Sequence, residues 1–124
     1  MRIEDIRIVI DERERKSGIP KLLQTIGVNA EIKTLPVGDY IVSHETIVER
    51  KSINDLMSSI FDGRLFDQCN RLKEHFQFPI IVVEGNVDEI ESISENTLLK
   101  SILISEPSSI CVISINALET TGAS

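Results

Sequence analysis

The sequence predicts a single α/β domain, a mixed sheet with helices on both faces. Three observations point there. Short Ile- and Val-rich runs recur at Ile6 to Ile10, Ile80 to Val83 and Ile110 to Ile115. Helical apolar spacing fills the stretches between them. Aromatic content is 4% with no Trp, so the core must be built from Ile, Val and Leu, which suits strands covered on both faces. At 124 residues and 41% hydrophobic content, residues 1–124 fit one core.

Each element has a local reason. Ile6 to Ile10 reads as a strand ending at Asp11, followed by a charged run to Lys16. Ser17-Gly-Ile-Pro20 starts a helix with Pro in its first turn, and Gly27 fits a C-terminal cap. Ala30 to Leu35 alternates apolar with polar, the pattern of a half-exposed strand. Pro36-Val-Gly38 breaks it. Asp39 to Ser43 and Thr46 to Arg50 form the next two strands, joined at Ser43-His44-Glu45.

Ser52-Ile-Asn-Asp55 resembles a capping box, opening a helix through Leu56, Met57 and Ile60. A second helix runs from about Arg64 to Phe76. At about 100° per residue, its Leu65, Phe66, Cys69, Leu72 and Phe76 form an apolar side, and Arg64, Gln68, Arg71 and His75 a narrow polar one. Ile80 to Val83 reads as a central strand, Ser94 to Ile104 as a helix and Ile110 to Ile115 as a last buried strand.

The formal net charge is −7, which excludes a non-specific DNA binder gripping by charge alone. Cys69 and Cys111 are far apart, lack metal-ligand spacing and sit among apolar residues, so a reducing, intracellular compartment is expected, either prokaryotic or archaeal cytoplasm or the nucleus. No apolar run approaches about 18 residues, so no membrane span is expected, and the charged N-terminus lacks a signal-peptide core.

The chemistry-bearing residues are Asp39, then Glu49-Arg50-Lys51, then Asp55. Strand residues at i and i+2 share a face, so Glu49 and Lys51 project together and Arg50 projects to the other side. Asp39 joins them if the hairpin loop has an odd number of residues, or a bulge restores the register. Two carboxylates can hold a hard cation such as magnesium, which can polarise a phosphodiester and acidify a bound water. A lysine beside them can offset developing negative charge. Taken singly, Asp39 after a Gly fits a turn, Glu49 and Lys51 fit a solvated ion pair, and Asp55 fits a helix cap.

Val37-Gly38-Asp39-Tyr40 followed by Val48-Glu49-Arg50-Lys51-Ser52-Ile53-Asn54-Asp55 resembles the nuclease domain of the XPF family of structure-specific endonucleases. The signature Gly-Asp, spacer, Glu-Arg-Lys, three residues, Asp is matched without substitution. Ile8 to Asp11 with Arg13-Glu14, Ser59 to Leu72, and Ile80 to Gly85 extend the likeness. The resemblance implies a restriction-endonuclease-like fold and Mg²⁺- or Mn²⁺-dependent incision of branched DNA such as flaps and forks. It also implies action as a homodimer, or as a heterodimer with a related subunit.

By position, the resemblance makes Asp39 and Glu49 metal ligands, Asp11 a further acidic ligand and Lys51 the catalytic lysine. Arg50 and Asp55 become supporting members of the catalytic set, and Arg13, Arg64 and Gln68 contact DNA phosphate or line the site. Nothing here resembles the tandem helix-hairpin-helix domain that usually follows, and the expected C-terminal helix is cut short at Glu119-Thr-Thr-Gly-Ala-Ser. Leu98, Leu99, Ile102, Leu103 and Ile104 offer more apolar surface than one helix face needs, which suits a subunit contact. Two other readings are weighed. One is a non-catalytic scaffold subunit, against which the intact acidic pair and lysine argue. The other is a small-ligand α/β domain, which lacks the Gly-rich phosphate loop such a domain would want.

Overall fold

The computed structural model describes residues 1–85 and the backbone of 110–114. Six strands form one sheet: β1 Arg7–Asp11, β2 Asn29–Lys33, β3 Tyr40–Ile41, β4 Thr46–Ser52, β5 Phe78–Glu84 and β6 Ile110–Ser114, in the order β2-β1-β3-β4-β5-β6. Among the described residues three α-helices lie between the strands: α1 Ile19–Thr25, α2 Ile53–Phe61 and α3 Leu65–Lys73. β1 and β2 pair parallel, as do β4 and β5, while β3 runs antiparallel to β1 and β4, and β6 to β5. The sheet is therefore mixed, and each described parallel pair is bridged by helix, as a crossover requires. The expected helix at Ser94 to Ile104, and with it the expected subunit contact, lies outside the described residues.

The core lies between β4, β5 and the α2–α3 pair. Ile47, Ile81 and Val83 from the strands meet Ile53, Leu56, Cys69 and Leu72 from the helices, all buried. Parity explains the choice: Ile81 and Val83 share a face, and Ile47 projects from β4 beside them. Glu49 and Lys51 continue the Ile47 face toward the strand's C-terminal end. The hydrophobic layer thus runs out into polar side chains where α3 covers the sheet. Ser52 caps α2 by accepting the Asp55 N–H at 3.1 Å. Phe66, expected in the apolar side of α3, is 55% exposed.

The charged run after β1 folds as a 3-10 helix, Glu12–Ser17, which strand and helix periodicity did not reveal. Its cap is Asp11, whose Oδ2 accepts the Arg13 N–H at 3.1 Å.

β3 is shorter than the expected Asp39 to Ser43. Gly38 adopts φ +72°, and a Cβ there would lie 2.3 Å from Ile47 Cγ1 and 2.6 Å from Ile47 Cδ1. The chain can cross this close to β4 only without a side chain, and only with a residue tolerant of left-handed backbone. Gly63 also has positive φ, +73°, but a Cβ there meets nothing within 4 Å. Gly63→Ala should cost about 1 kcal/mol from backbone strain alone, whereas Gly38→Ala adds overpacking of roughly 1–3 kcal/mol. Urea unfolding of the two variants checks this, with Gly38→Ala expected to be clearly the less stable.

Candidate functional site

The β3–β4 pairing sets the site. Tyr40 faces Val48 and Ile41 faces Ile47, and the Val42 N–H reaches the Thr46 carbonyl at 3.1 Å. That leaves a three-residue loop, Ser43-His44-Glu45, and the paired register ends at Tyr40 and Val48, one residue short of Asp39. Asp39 departs from regular pairing. Its N–H donates to the Val48 carbonyl at 3.0 Å, and its carbonyl accepts the Asp11 N–H at 2.8 Å. Its Oδ2 then takes the Arg50 N–H at 2.8 Å. The carboxylate stands in for a main-chain acceptor and is held between β1 and β4.

Glu49 lines a cleft with Arg13, Pro36, Val37, Gly38, Gln68, Arg71 and Leu72. The strand end forms one wall, α3 another and the 3-10 helix a third. Lys51, two residues on, donates from Nζ to Gln68 Oε1 at 2.8 Å. α3 supplies Gln68, Arg71 and Leu72 at i, i+3 and i+4, one helical face.

The electrostatics follow from burial, joined at Asp39 by like charge. Asp39 is pushed up to about 6, chiefly by burial and then by the charges of Glu14 and Glu49, with the Arg50 N–H and Arg13 pulling the other way. Burial also raises Glu49, against the attraction of Lys51, Arg13 and Arg71. Glu49 accepts no hydrogen bond among the described residues, and Asp39 Oδ1 likewise has none. Two hard oxygen donors are thus open beside three cationic side chains.

Several expected members sit elsewhere. Asp11 is 1% exposed, and its oxygens are already engaged. Oδ1 accepts the Leu35 N–H at 2.8 Å, and Oδ2 accepts Arg13 Nε at 2.6 Å as well as the Arg13 N–H. Burial would push this carboxyl up, but these bonds outweigh it and hold it below its ordinary value. Asp11 is a structural anchor for Arg13, not an open ligand. Consistently, the described residues contain no group of three or more His, Cys, Asp or Glu placed to hold a metal ion.

The Arg50 guanidinium points away from the cleft. Its Nε donates to Glu14 Oε1 and its Nη1 to Glu84 Oε1, both at 3.0 Å. Only its backbone N–H reaches the site. Asp55 is exposed at the start of α2 and borders a different hollow with Glu14, Arg50, Lys51, Ser52 and Glu84.

Arg64 pairs with Asp62 at 3.0 Å, is half-exposed and does not line the cleft. Because it precedes the first turn of α3, a local carboxylate two residues back captures it. Arg71, expected only as part of the polar stripe, takes the place on the cleft wall that Arg64 was expected to fill. Glu14 as a partner of Arg50, and Tyr40 as a partner of Glu14, were also missed. Their signal was weak, since Glu14 sits in a charge run and Tyr40 follows the motif aspartate without a role of its own.

Comparison with known proteins adds an independent line. A family model described as the ERCC4 domain matches residues 10–121. The chain is 49% identical over 90 residues to the 3′-flap repair endonuclease Xpf of Saccharolobus solfataricus, covering 73% of this chain and 39% of that protein. It is 43% identical over 77 residues to the mouse DNA repair endonuclease XPF, covering 62% of this chain and 8% of that protein. Among solved structures, XPF from Aeropyrum pernix in complex with DNA superposes with a TM-score of 0.64 at 39% identity, covering 78% of this chain and 52% of that one. The chain spans about two-fifths of the archaeal relative's length.

A carboxyl raised from 3.8 to about 6 on folding opposes the folded state when ionised. The folded form binds its proton more tightly, so stability from this group is greatest below the unfolded pKa and falls as pH rises through the folded one. The penalty is on the order of 2–3 kcal/mol. Asp39→Asn keeps an oxygen for the Arg50 N–H and removes the charge. In metal-free buffer it should melt several degrees higher than wild type at pH 7.5, and the gain should vanish below about pH 4. Thermal melts across that range check both halves.

Proposed function

This chain belongs to the ERCC4 domain family, that of the XPF nucleases, and on that premise we propose that it is a metal-dependent endonuclease domain incising branched DNA such as flaps and forks in repair. The observation that carries the reading is the pair of carboxylates Asp39 and Glu49, close enough for the charge of one to act on the other, with Lys51 two residues along the Glu49 face of β4 and Arg13 and Arg71 lining the cleft beside Glu49.

The donor set fits a divalent cation. Asp39 Oδ1 and the Glu49 carboxylate are hard oxygens without hydrogen-bond partners among the described residues, and burial raises both groups, with the charges of Glu14 and Glu49 adding to it at Asp39. Magnesium commonly takes one or two protein carboxylates and completes its shell with water and substrate phosphate, so two suffice. Such an ion, Mg²⁺ or Mn²⁺, supplies Lewis-acid stabilisation of phosphodiester charge.

The chain's own groups do the rest. Gln68 orients the Lys51 ammonium, which offsets charge developing at the scissile phosphate. Arg13 and Arg71 offer guanidinium forks to strand phosphates from opposite walls. With a net charge of −7, the chain alone grips DNA weakly and with strong salt dependence. This supports a reading in which the rest of the grip comes from a second subunit, in a homodimer or a heterodimer with a related chain. The reaction is intracellular, and no helix among the described residues is long and apolar enough to cross a membrane.

Incubation of a labelled flap duplex with Mn²⁺ and with EDTA tests the proposal. Cleavage should require the metal, and Lys51→Ala should lower it by about 10²-fold or more while leaving the melting temperature within a few degrees. Metal-independent cleavage, or full activity in Lys51→Ala, contradicts it.

A further inference from the structure

β4 carries the site on one side and a second, separate network on the other. Between Glu49 and Lys51, the Arg50 guanidinium bonds Glu14 through Nε and Glu84 through Nη1, at 3.0 Å each. The Tyr40 hydroxyl donates to the same Glu14 Oε1 that Arg50 holds. The Arg50 and Glu14 side chains are 31% and 12% exposed. An ion pair this covered is screened little by solvent and has its directions fixed by the planar guanidinium. Burial of the Tyr40 hydroxyl, then its bond to Glu14, pushes its pKa up, so it remains a hydrogen-bond donor.

Glu14 belongs to the 3-10 helix Glu12–Ser17, and its neighbour is Arg13. Arg13 faces the cleft and feels both Asp39 and Glu49 through space. Its Nε is tied to Asp11, and the whole 3-10 turn is otherwise short and mostly exposed. The turn is thus held by Asp11 at its start and by Glu14 in its body, with a longer contact from the Thr34 hydroxyl to Glu12 at 3.5 Å. Arg50 supplies the charged part of the hold on Glu14, beside the Tyr40 hydroxyl.

We propose that Arg50 is a positioning residue: from the side of β4 turned away from the cleft, its guanidinium holds Glu14 and thereby the 3-10 turn that presents Arg13 to the DNA phosphate opposite Glu49. This deepens the nuclease reading and rests on it for the identity of the ligand, though not for the coupling between Arg50 and Arg13. It also gives the arginine of the Glu-Arg-Lys run a role for which its direction suits it. Lysine cannot replace it, because one ammonium cannot meet two carboxylates in the fixed fork that Glu14 and Glu84 occupy.

Arg50→Lys is the test variant, with Glu14→Gln as a second route should the first not fold. In ¹⁵N-labelled, metal-free protein, either variant should shift or broaden the Arg13 Nε–Hε cross-peak while the Gln68 side-chain amide peaks stay in place. Unmoved Arg13 resonances in a folded variant overturn the proposal, whatever the nuclease assay shows. Binding of a fluorescein-labelled flap duplex in EDTA is the second readout. Arg50→Lys should raise Kd roughly fivefold, the size of a lost charge-assisted contact. On an Arg13→Ala background it should add nothing. Additive losses in the double variant would show that Arg50 acts other than through Arg13 and also overturn it. Wild type failing to cleave the flap with Mn²⁺, with the Arg13 peak still coupled to Arg50, would overturn the nuclease reading and leave the positioning role standing.

Discussion

One hydrogen bond holds the architecture of the site together: the Arg50 N–H to Asp39 Oδ2 at 2.8 Å. It spans the point where β3 leaves regular pairing, and it makes an aspartate side chain the acceptor for a β4 amide. With the Asp39 carbonyl on the Asp11 N–H, it ties β1, β3 and β4 at the C-terminal end of β4. Without Gly38 the chain could not lie close enough to Ile47 to make it. The Gly-Asp dipeptide is therefore a geometric unit: the first residue allows the approach, and the second uses it. The arrangement leaves Oδ1 without a hydrogen bond among the described residues and the carboxylate within reach of the Glu49 charge, at an electrostatic cost visible in its raised pKa.

β4 divides labour by parity. On one side Ile47 seals the core, then Glu49 and Lys51 face α3. On the other, Val48 and Arg50 face a surface shared with Tyr40, Val82 and Glu84. Three consecutive charged residues are thus not a charge patch. They are two site residues and one anchor, separated by the sheet itself. The same economy appears in Asp11 and Arg13. The buried carboxylate gives up its oxygens to fix the guanidinium, so an acidic residue contributes to the site through a base.

What was legible in the sequence was whatever periodicity controls. Strand parity put Glu49 with Lys51 and Arg50 opposite. The placement of Asp39 beside Glu49 hung on an odd loop or a bulge; the loop Ser43-His44-Glu45 has three residues, but regular pairing stops at Tyr40 and Val48. Ile80 to Val83 announced its strand, and Ser52 with Asp55 announced a cap. Residues placed by tertiary contact were not legible. Asp11 looked like a ligand because it ends an apolar strand, yet Leu35, 24 positions on, closes over it. Arg64 shares a helical stripe with Gln68 and Arg71, but the turn before α3 hands it to Asp62. Glu14 sat in a charge run whose 3-10 fold has no period to betray it, so its place under Arg50 emerged only from the coordinates.

The central claim is that Asp39 and Glu49 act as one cation site. Calorimetric titration of Mn²⁺ into the metal-free protein, without DNA, tests it most directly. One site is expected in wild type, weakened in Asp39→Asn and in Glu49→Gln alone and absent when both are changed. Unchanged Mn²⁺ binding in the double variant would place the cation elsewhere and contradict it.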